Sequence, residues 1–192
     1  MALAYTNVKL EIREILLRDR PDELYQVSSK GTVPVLITLD GSVIDESLDI
    51  MLWALRNNSE QIWLKKNHDE DLKIINHNDI EFKKWLDRYK YHDRYPENSK
   101  IFYREKCCDT LSKYESMLND TQYLSGDNLG FIDVSVFPFI RQFANVDYEW
   151  FENNHQRLAY FLEEICSSDL FIKIMEKYPL WNKKDKIIIN EL

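Results

Sequence analysis

Val8, Leu10 and Ile12 alternate with Lys9, Glu11 and Arg13, and that period of two predicts a strand with one solvated face near a sheet edge. Ahead of it, Met1 to Tyr5 reads as a helix already under way. After it, Pro21 followed by Asp22 and Glu23 has the chemistry of a first helical turn, so a short helix is expected to run to about Val27 before Ser28-Ser29-Lys30-Gly31 breaks it. Pro34 to Leu39 and Ser42 to Ile44, joined by Asp40-Gly41, form the plainest hairpin signal in the chain. From Glu46 the apolar residues Leu48, Met51, Leu52 and Leu55 fall on one helical face, and Asn57-Asn58-Ser59 closes that helix.

Beyond this point the periodicity is helical, with helices predicted near 69–90, 100–118, 131–143, 154–167 and 170–178 and with Ile187-Ile188-Ile189 left as tail. The sequence contains no internal repeat and no low-complexity linker. The pattern predicts an α+β protein of two units, a small one over 1–60 that holds the strands and an all-helical one over 67–192.

A chain of 192 residues with 44% apolar and 13% aromatic content can bury a packed core. Its 25 basic and 33 acidic residues give a net charge of −8. They are interspersed along the helical stretches instead of being gathered into tails, which disfavours nucleic acid as a partner. The opening residues are too few for the apolar core of a secretion signal, and no stretch is apolar for the length of a membrane span. A cytoplasmic protein without a membrane partner is expected.

Cys107 and Cys108 are adjacent and Cys166 stands alone. None has the spacing of a redox pair, so all three are read as reduced packing residues. His68, His77, His92 and His155 show no i, i+4 pair and no cysteine companions, so no metal is expected.

Two ligand-receiving features stand close together in Gly31-Thr32-Val33-Pro34-Val35-Leu36 and Val43-Ile44-Asp45-Glu46-Ser47. A Val-Pro entry into a hairpin invites a cis bond, and Val33 can then give both its N–H and its C=O to an extended peptide, as strand addition requires. Glu46 and Ser47 occupy the first turn of a helix, where free N–H groups and the positive dipole end receive a carboxylate. Ser47 adds a hydroxyl and Glu46 suits a ligand amine. An α-amino acid end, carrying both charges, fits this turn.

These residues resemble those of the glutathione S-transferase family, and the resemblance spans nearly the whole chain. The chain looks like a bacterial, omega-like member of the cysteine or serine type, with an N-terminal thioredoxin-like domain that lacks its first strand and the start of its first helix, followed by an all-α domain. The resemblance implies that Val33 with cis-Pro34 pairs with the cysteinyl backbone of glutathione and that Glu46 and Ser47 hold its γ-glutamyl end. Arg20, ahead of Pro21, and Lys30 are the candidates for its glycyl carboxylate. The run Tyr123-Leu124-Ser125-Gly126-Asp127 through Phe131-Ile132-Asp133 to Pro138 is similar to the family's entry into a buried sixth helix. Phe171 to Pro179 looks like the last helix of bacterial members. Trp85 and Tyr89 lie on helices that wall the family's electrophile pocket and are carried over as candidates, although aromatics at helical spacing more often pack cores.

The resemblance further implies a homodimer that takes glutathione as co-substrate and conjugates or reduces small hydrophobic electrophiles. No residue matches the family's thiol-activating Ser, Tyr or Cys, so no catalytic residue is assigned. The alternative is a non-catalytic member that keeps the fold for binding or regulation. The strand the resemblance finds missing belongs between those over 8–17 and 34–39, so either these two close up and pair, or another chain covers their edges. Asp133 is assigned to folding: with Gly130 at the cap position, half of a capping box remains, in which Asp133 bonds the Gly130 N–H.

Overall fold

The computed structural model describes residues 1–65, 68–184 and 187–191. The chain opens with α1 (Ala2–Tyr5), β1 (Lys9–Ile12), α2 (Asp22–Val27), β2 (Leu36–Ile37), β3 (Val43–Ile44) and α3 (Ser47–Arg56). Next come α4 (Asp69–His77), a π-helical segment (Asn78–Phe82), α5 (Lys83–Lys90), a 3-10 turn (His92–Arg94), α6 (Lys100–Met117), α7 (Phe131–Ala144), α8 (Tyr148–Asn154), α9 (Gln156–Ser167), α10 (Asp169–Ile174) and β4 (Ile188–Glu191). These elements form two units, Met1–Gln61 with Asp169–Leu192, and Ile62–Ser168. The sequence pattern places everything after residue 67 in one helical unit; the contacts group the segment from Asp169 with the first unit instead.

In the first unit, α2 begins after Pro21 with Asp22 and Glu23 in its first turn, where a fixed φ and negative charge both suit a helix N-terminus. Gly31, at φ 60°, ends the loop after α2; a Cβ there would lie 2.3 Å from the Tyr25 ring, so only glycine fits. The hairpin forms where Asp40-Gly41 predicts it, with Leu36 opposite Ile44 and Ile37 opposite Val43. α3 turns Ile50, Ala54 and Leu55 inward.

Of the two alternatives stated for the flanking strands, closure onto each other does not occur. β1 takes β4 as its antiparallel neighbour, Ile12 opposite Ile188 and Glu11 opposite Ile189, and β2 pairs with β3 in a separate two-stranded sheet. The tail is therefore a strand, recruited by an edge whose N–H and C=O groups need partners. Periodicity could not reveal it, because three consecutive isoleucines carry no alternation.

The second unit is helical. The helix expected over 69–90 is interrupted by the π-helical turn at Asn78–Phe82, and the one expected near 154–167 is preceded by the separate helix α8, with His155 between α8 and α9. Ser99 starts α6 by accepting the Phe102 N–H at 3.1 Å, and Asp147 starts α8 by accepting the Trp150 N–H at 3.2 Å, as side-chain caps do. Phe82, Tyr103, Phe131, Phe143, Phe151 and Phe161 are buried in its core.

Asp133, at the third position of α7, is fully buried. Its carboxylate accepts from the backbone N–H groups of Leu124 at 2.7 Å, Gly130 at 2.9 Å and Ser125 at 3.3 Å. The folding role expected of it is met by three donors where the half capping box supplies one. Burial raises its carboxyl above the ordinary range, against the opposing pull of these donors. Among the described residues, no helix is long and apolar enough to cross a membrane.

Candidate functional site

The two ligand-receiving features named from sequence lie in the first unit. The Val33–Pro34 bond is cis, and Val33 is 45% exposed. Glu46, in extended conformation, is the N-cap of α3, and Ser47 is its first helical residue. No side chain caps this helix start, so its first-turn N–H groups remain without the usual side-chain acceptor.

Around that start, four side chains form a chain of polar contacts. The Lys30 Nζ donates to Glu46 Oε1 at 2.6 Å and to Asp45 Oδ1 at 3.2 Å. The buried Ser28 hydroxyl donates to the other Asp45 oxygen at 2.9 Å. The Glu46 and Asp45 carboxylates hold the Lys30 ammonium above its ordinary pKa. In turn, the Ser28 hydroxyl and then Lys30 hold the Asp45 carboxyl below its own. The outcome is one cation and two anions beside an uncapped helix N-terminus, an arrangement that offers opposite charges to a zwitterion.

Beside Val33 and Pro34 lies a cavity of about 530 Å³, walled by Leu17, Leu24, Val27 and Trp181. Trp181 belongs to the C-terminal segment and is fixed from two sides. Its backbone N–H donates to Glu14 O at 2.7 Å, and the Arg13 guanidinium lies 5.1 Å from its ring centre, within cation–π range. Lys183 pairs with Glu23 at 3.2 Å nearby in the chain.

Of the sequence candidates, Val33 and Pro34 stand together at this cavity, and Glu46, Ser47 and Lys30 stand together at α3. Lys30 is bonded to Glu46 and so stands at the same end of the site. Arg20 is exposed and does not line the cavity, which meets the neighbouring Pro21. Trp85 and Tyr89 belong to the second unit. Trp85 is half-buried and stacks on Tyr103 with ring centres 6.4 Å apart. Tyr89 is 1% exposed, with its ring 5.0 Å from Phe143, and occupies the helical core.

Sequence reasoning passed over Ser28, Asp45, Arg13 and Trp181. Asp45 was legible as the neighbour of Glu46. Trp181 carried no signal, since its place depends on where the tail docks.

The three cysteines are free. Burial pushes the Cys108 thiol up to about 11 and Cys107 higher still, so neither supplies a thiolate at neutral pH. Among the described residues, no group of three His, Cys, Asp or Glu side chains is placed to hold a metal ion.

Comparison with known proteins identifies the family of both parts of the chain. Residues 1–61 match the model of the glutathione S-transferase N-terminal domain, and residues 78–170 match that of the C-terminal domain. No protein of curated function matches the sequence. Among solved structures, a ternary complex of BphK, a bacterial GST, superposes with a TM-score of 0.75 at 20% identity, over 90% of this chain and 88% of that one. A glutathione S-transferase from Methylobacillus flagellatus with glutathione bound gives 0.74 at 15% identity, over 90% and 89%. Gtt2 from Saccharomyces cerevisiae gives 0.67 at 18% identity, over 91% and 92%. At these identities the likeness speaks for the fold.

Proposed function

We propose that this chain, which belongs to the glutathione S-transferase family, binds glutathione in its first unit and uses it to conjugate or reduce small hydrophobic electrophiles. The observation that carries the reading is the charge array at the start of α3: Lys30 hydrogen-bonded to both Asp45 and Glu46, beside Ser47 and an uncapped helix N-terminus. The γ-glutamyl end of glutathione carries an ammonium and a carboxylate on one carbon. Its carboxylate suits the Ser47 hydroxyl, the first-turn N–H groups and Lys30, while its ammonium suits Glu46 and Asp45.

Val33 supports the same reading. It is exposed ahead of the hairpin, so its backbone N–H and C=O can pair with the cysteinyl residue of the tripeptide in the manner of an added strand. Arg20 and Lys30 were the sequence candidates for the glycyl carboxylate. With Lys30 engaged by Glu46, Arg20 is the one left for that end. The reading includes a homodimer acting in the cytoplasm; light scattering of the purified chain tests the dimer directly.

The second reading is a glutathione-binding protein without turnover. It is favoured by the raised pKa of the Cys107 and Cys108 thiols, which leaves neither as a ready nucleophile. Calorimetric titration with glutathione, paired with turnover of a generic aryl halide, separates the two. Binding with turnover supports the transferase. Binding alone supports the second reading, and no binding at millimolar glutathione refutes both. Ser47→Ala is expected to weaken binding by about two- to tenfold, the loss of one hydrogen bond of ordinary strength.

A further inference from the structure

One stretch of the second unit carries the opposite charge to the rest of the chain. Residues 83–106 hold eight lysines and arginines against four acids, net +4, while the whole chain is −8, so the other residues together carry −12. Within this stretch α5 packs against the start of α6. Trp85 stacks on Tyr103 with ring centres 6.4 Å apart, and Phe102 stands edge-on to Trp85 at 6.3 Å. Cations gather over these and the neighbouring rings. Lys84 Nζ lies 4.9 Å and the Arg88 guanidinium 5.4 Å from the Trp85 ring centre. Arg88 also lies 5.0 Å from Tyr95, and Arg94 lies 4.5 Å from Tyr91, all within cation–π range.

The acids of the stretch leave these cations unneutralised. The Asp87 carboxylate accepts the Tyr95 hydroxyl at 2.7 Å, and Asp93 faces His92 Nε2 at 3.1 Å. Among the described residues, Lys84, Arg88, Arg94 and Lys100 form no ion pair with a carboxylate. A ring holds a cation without using its N–H donors, so these stay available to an anion. Arg88 uses one of them on Lys84 O at 3.1 Å. The ring contacts also restrict the long side chains beforehand, which lowers the entropy lost when an anion binds.

We infer that this face docks an acidic segment of a partner protein, an extended stretch with a carboxylate at every second residue. Alternate side chains of an extended peptide lie about 6.6 Å apart on one side, close to the roughly 6 Å along the helix axis that separates Lys84 from Arg88. Nucleic acid is the poorer fit, because it would need ring faces for its bases, and the Trp85 ring already meets Tyr103, Lys84 and Arg88. A long polyanion or an anionic bilayer would also meet the −12 carried elsewhere. A short segment touches the patch alone, since charges beyond about 8 Å are screened at physiological salt. The inference rests on the second unit and stands whether or not glutathione binds.

The test is titration of the isotope-labelled full chain with a capped octapeptide alternating glutamate and serine. Saturable binding that shifts the Trp85 indole signal, and that weakens as salt is raised from 50 to 200 mM, is the expected result. Arg88→Gln and Arg94→Gln are each expected to weaken binding at least about threefold. Lys73→Gln, at an exposed lysine paired with Glu70 outside the patch, is expected to change it little. Failure to bind at millimolar peptide, or equal weakening by Lys73→Gln, overturns the inference. Tighter binding of a twelve-nucleotide oligothymidylate, or co-sedimentation with phosphatidylglycerol vesicles that the peptide does not displace, overturns it in favour of nucleic acid or a membrane. Self-association of the chain that Arg88→Glu abolishes overturns it by assigning the face to a second copy.

Discussion

The Lys30 ammonium stands 2.6 Å from the Glu46 carboxylate at the first turn of α3, so two residues that sequence reasoning sent to opposite ends of one ligand stand together. The Glu46 carboxylate first, and Asp45 after it, account for the direction of the Lys30 shift.

Replacing the cation tests this pairing. Lys30→Met is expected to weaken glutathione binding at low ionic strength, and the deficit should shrink as salt is raised toward half-molar, because exposed charges are screened over a shorter length there. Calorimetry at two salt concentrations measures both. A deficit independent of salt would mean that Lys30 acts by shape and not by charge.

Asp133 is expected to be among the costliest single positions in the helical unit. Asp133→Ala removes the acceptor for three backbone N–H groups, two of them within 2.9 Å, and leaves donors buried without partners. The expected loss is roughly 2–4 kcal/mol, above the usual range for a cap because more than one donor is stranded. Asp133→Asn keeps one acceptor oxygen and should lose less. Urea unfolding with an unchanged slope and a lowered midpoint is the check.

His155 makes the protein acid-sensitive. It is buried between α8 and α9, with the Trp150 and Phe151 rings each 5.7 Å away and Cys108 Sγ 3.7 Å from Nε2. Burial lowers its pKa below the ordinary 6.5. The unfolded chain therefore binds a proton near pH 6.5 that the folded chain refuses, so its contribution is complete above that pH and is lost as pH falls toward the folded value. Melting temperature measured from pH 7.5 to 5.5 should drop, and His155→Gln should flatten part of that slope. A slope identical in both proteins would place the acid sensitivity elsewhere.

Cys108 should be slow to alkylate. With its thiol pushed up to about 11, roughly one molecule in a thousand is ionised at pH 8, and the thiolate is the reacting species. Iodoacetamide modification read by peptide mass spectrometry should run about two orders of magnitude below that of a free thiol and rise about tenfold per pH unit.

Much of the candidate site was legible because its signals are local. Val33-Pro34, the Asp40-Gly41 turn and Glu46-Ser47 each act through the conformation of a few neighbouring residues, and such preferences are written in the residues themselves. The hairpin and α3 lie where those signals put them, within a residue or two at the ends. Trp85 and Tyr89 were ambiguous from the same information, since helical spacing tells that an aromatic faces inward but not whether it meets a ligand or a neighbour. Only their environments separate them, Tyr89 against Phe143 and Trp85 against Tyr103.

The amino-acid sequence alone determined the α+β division, the family, the helix start at Glu46-Ser47 and the folding role of Asp133, because each rests on short-range pattern or on residues that read the same in any context. Tertiary structure decided the rest. It made a strand of Ile188–Glu191, carried Trp181 to the wall beside Pro34, joined Lys30 to Glu46, and kept β1 and β2 in separate sheets. Those outcomes depend on which distant edges find hydrogen-bond partners and which apolar faces find cover, and that competition is settled only when the whole chain has packed.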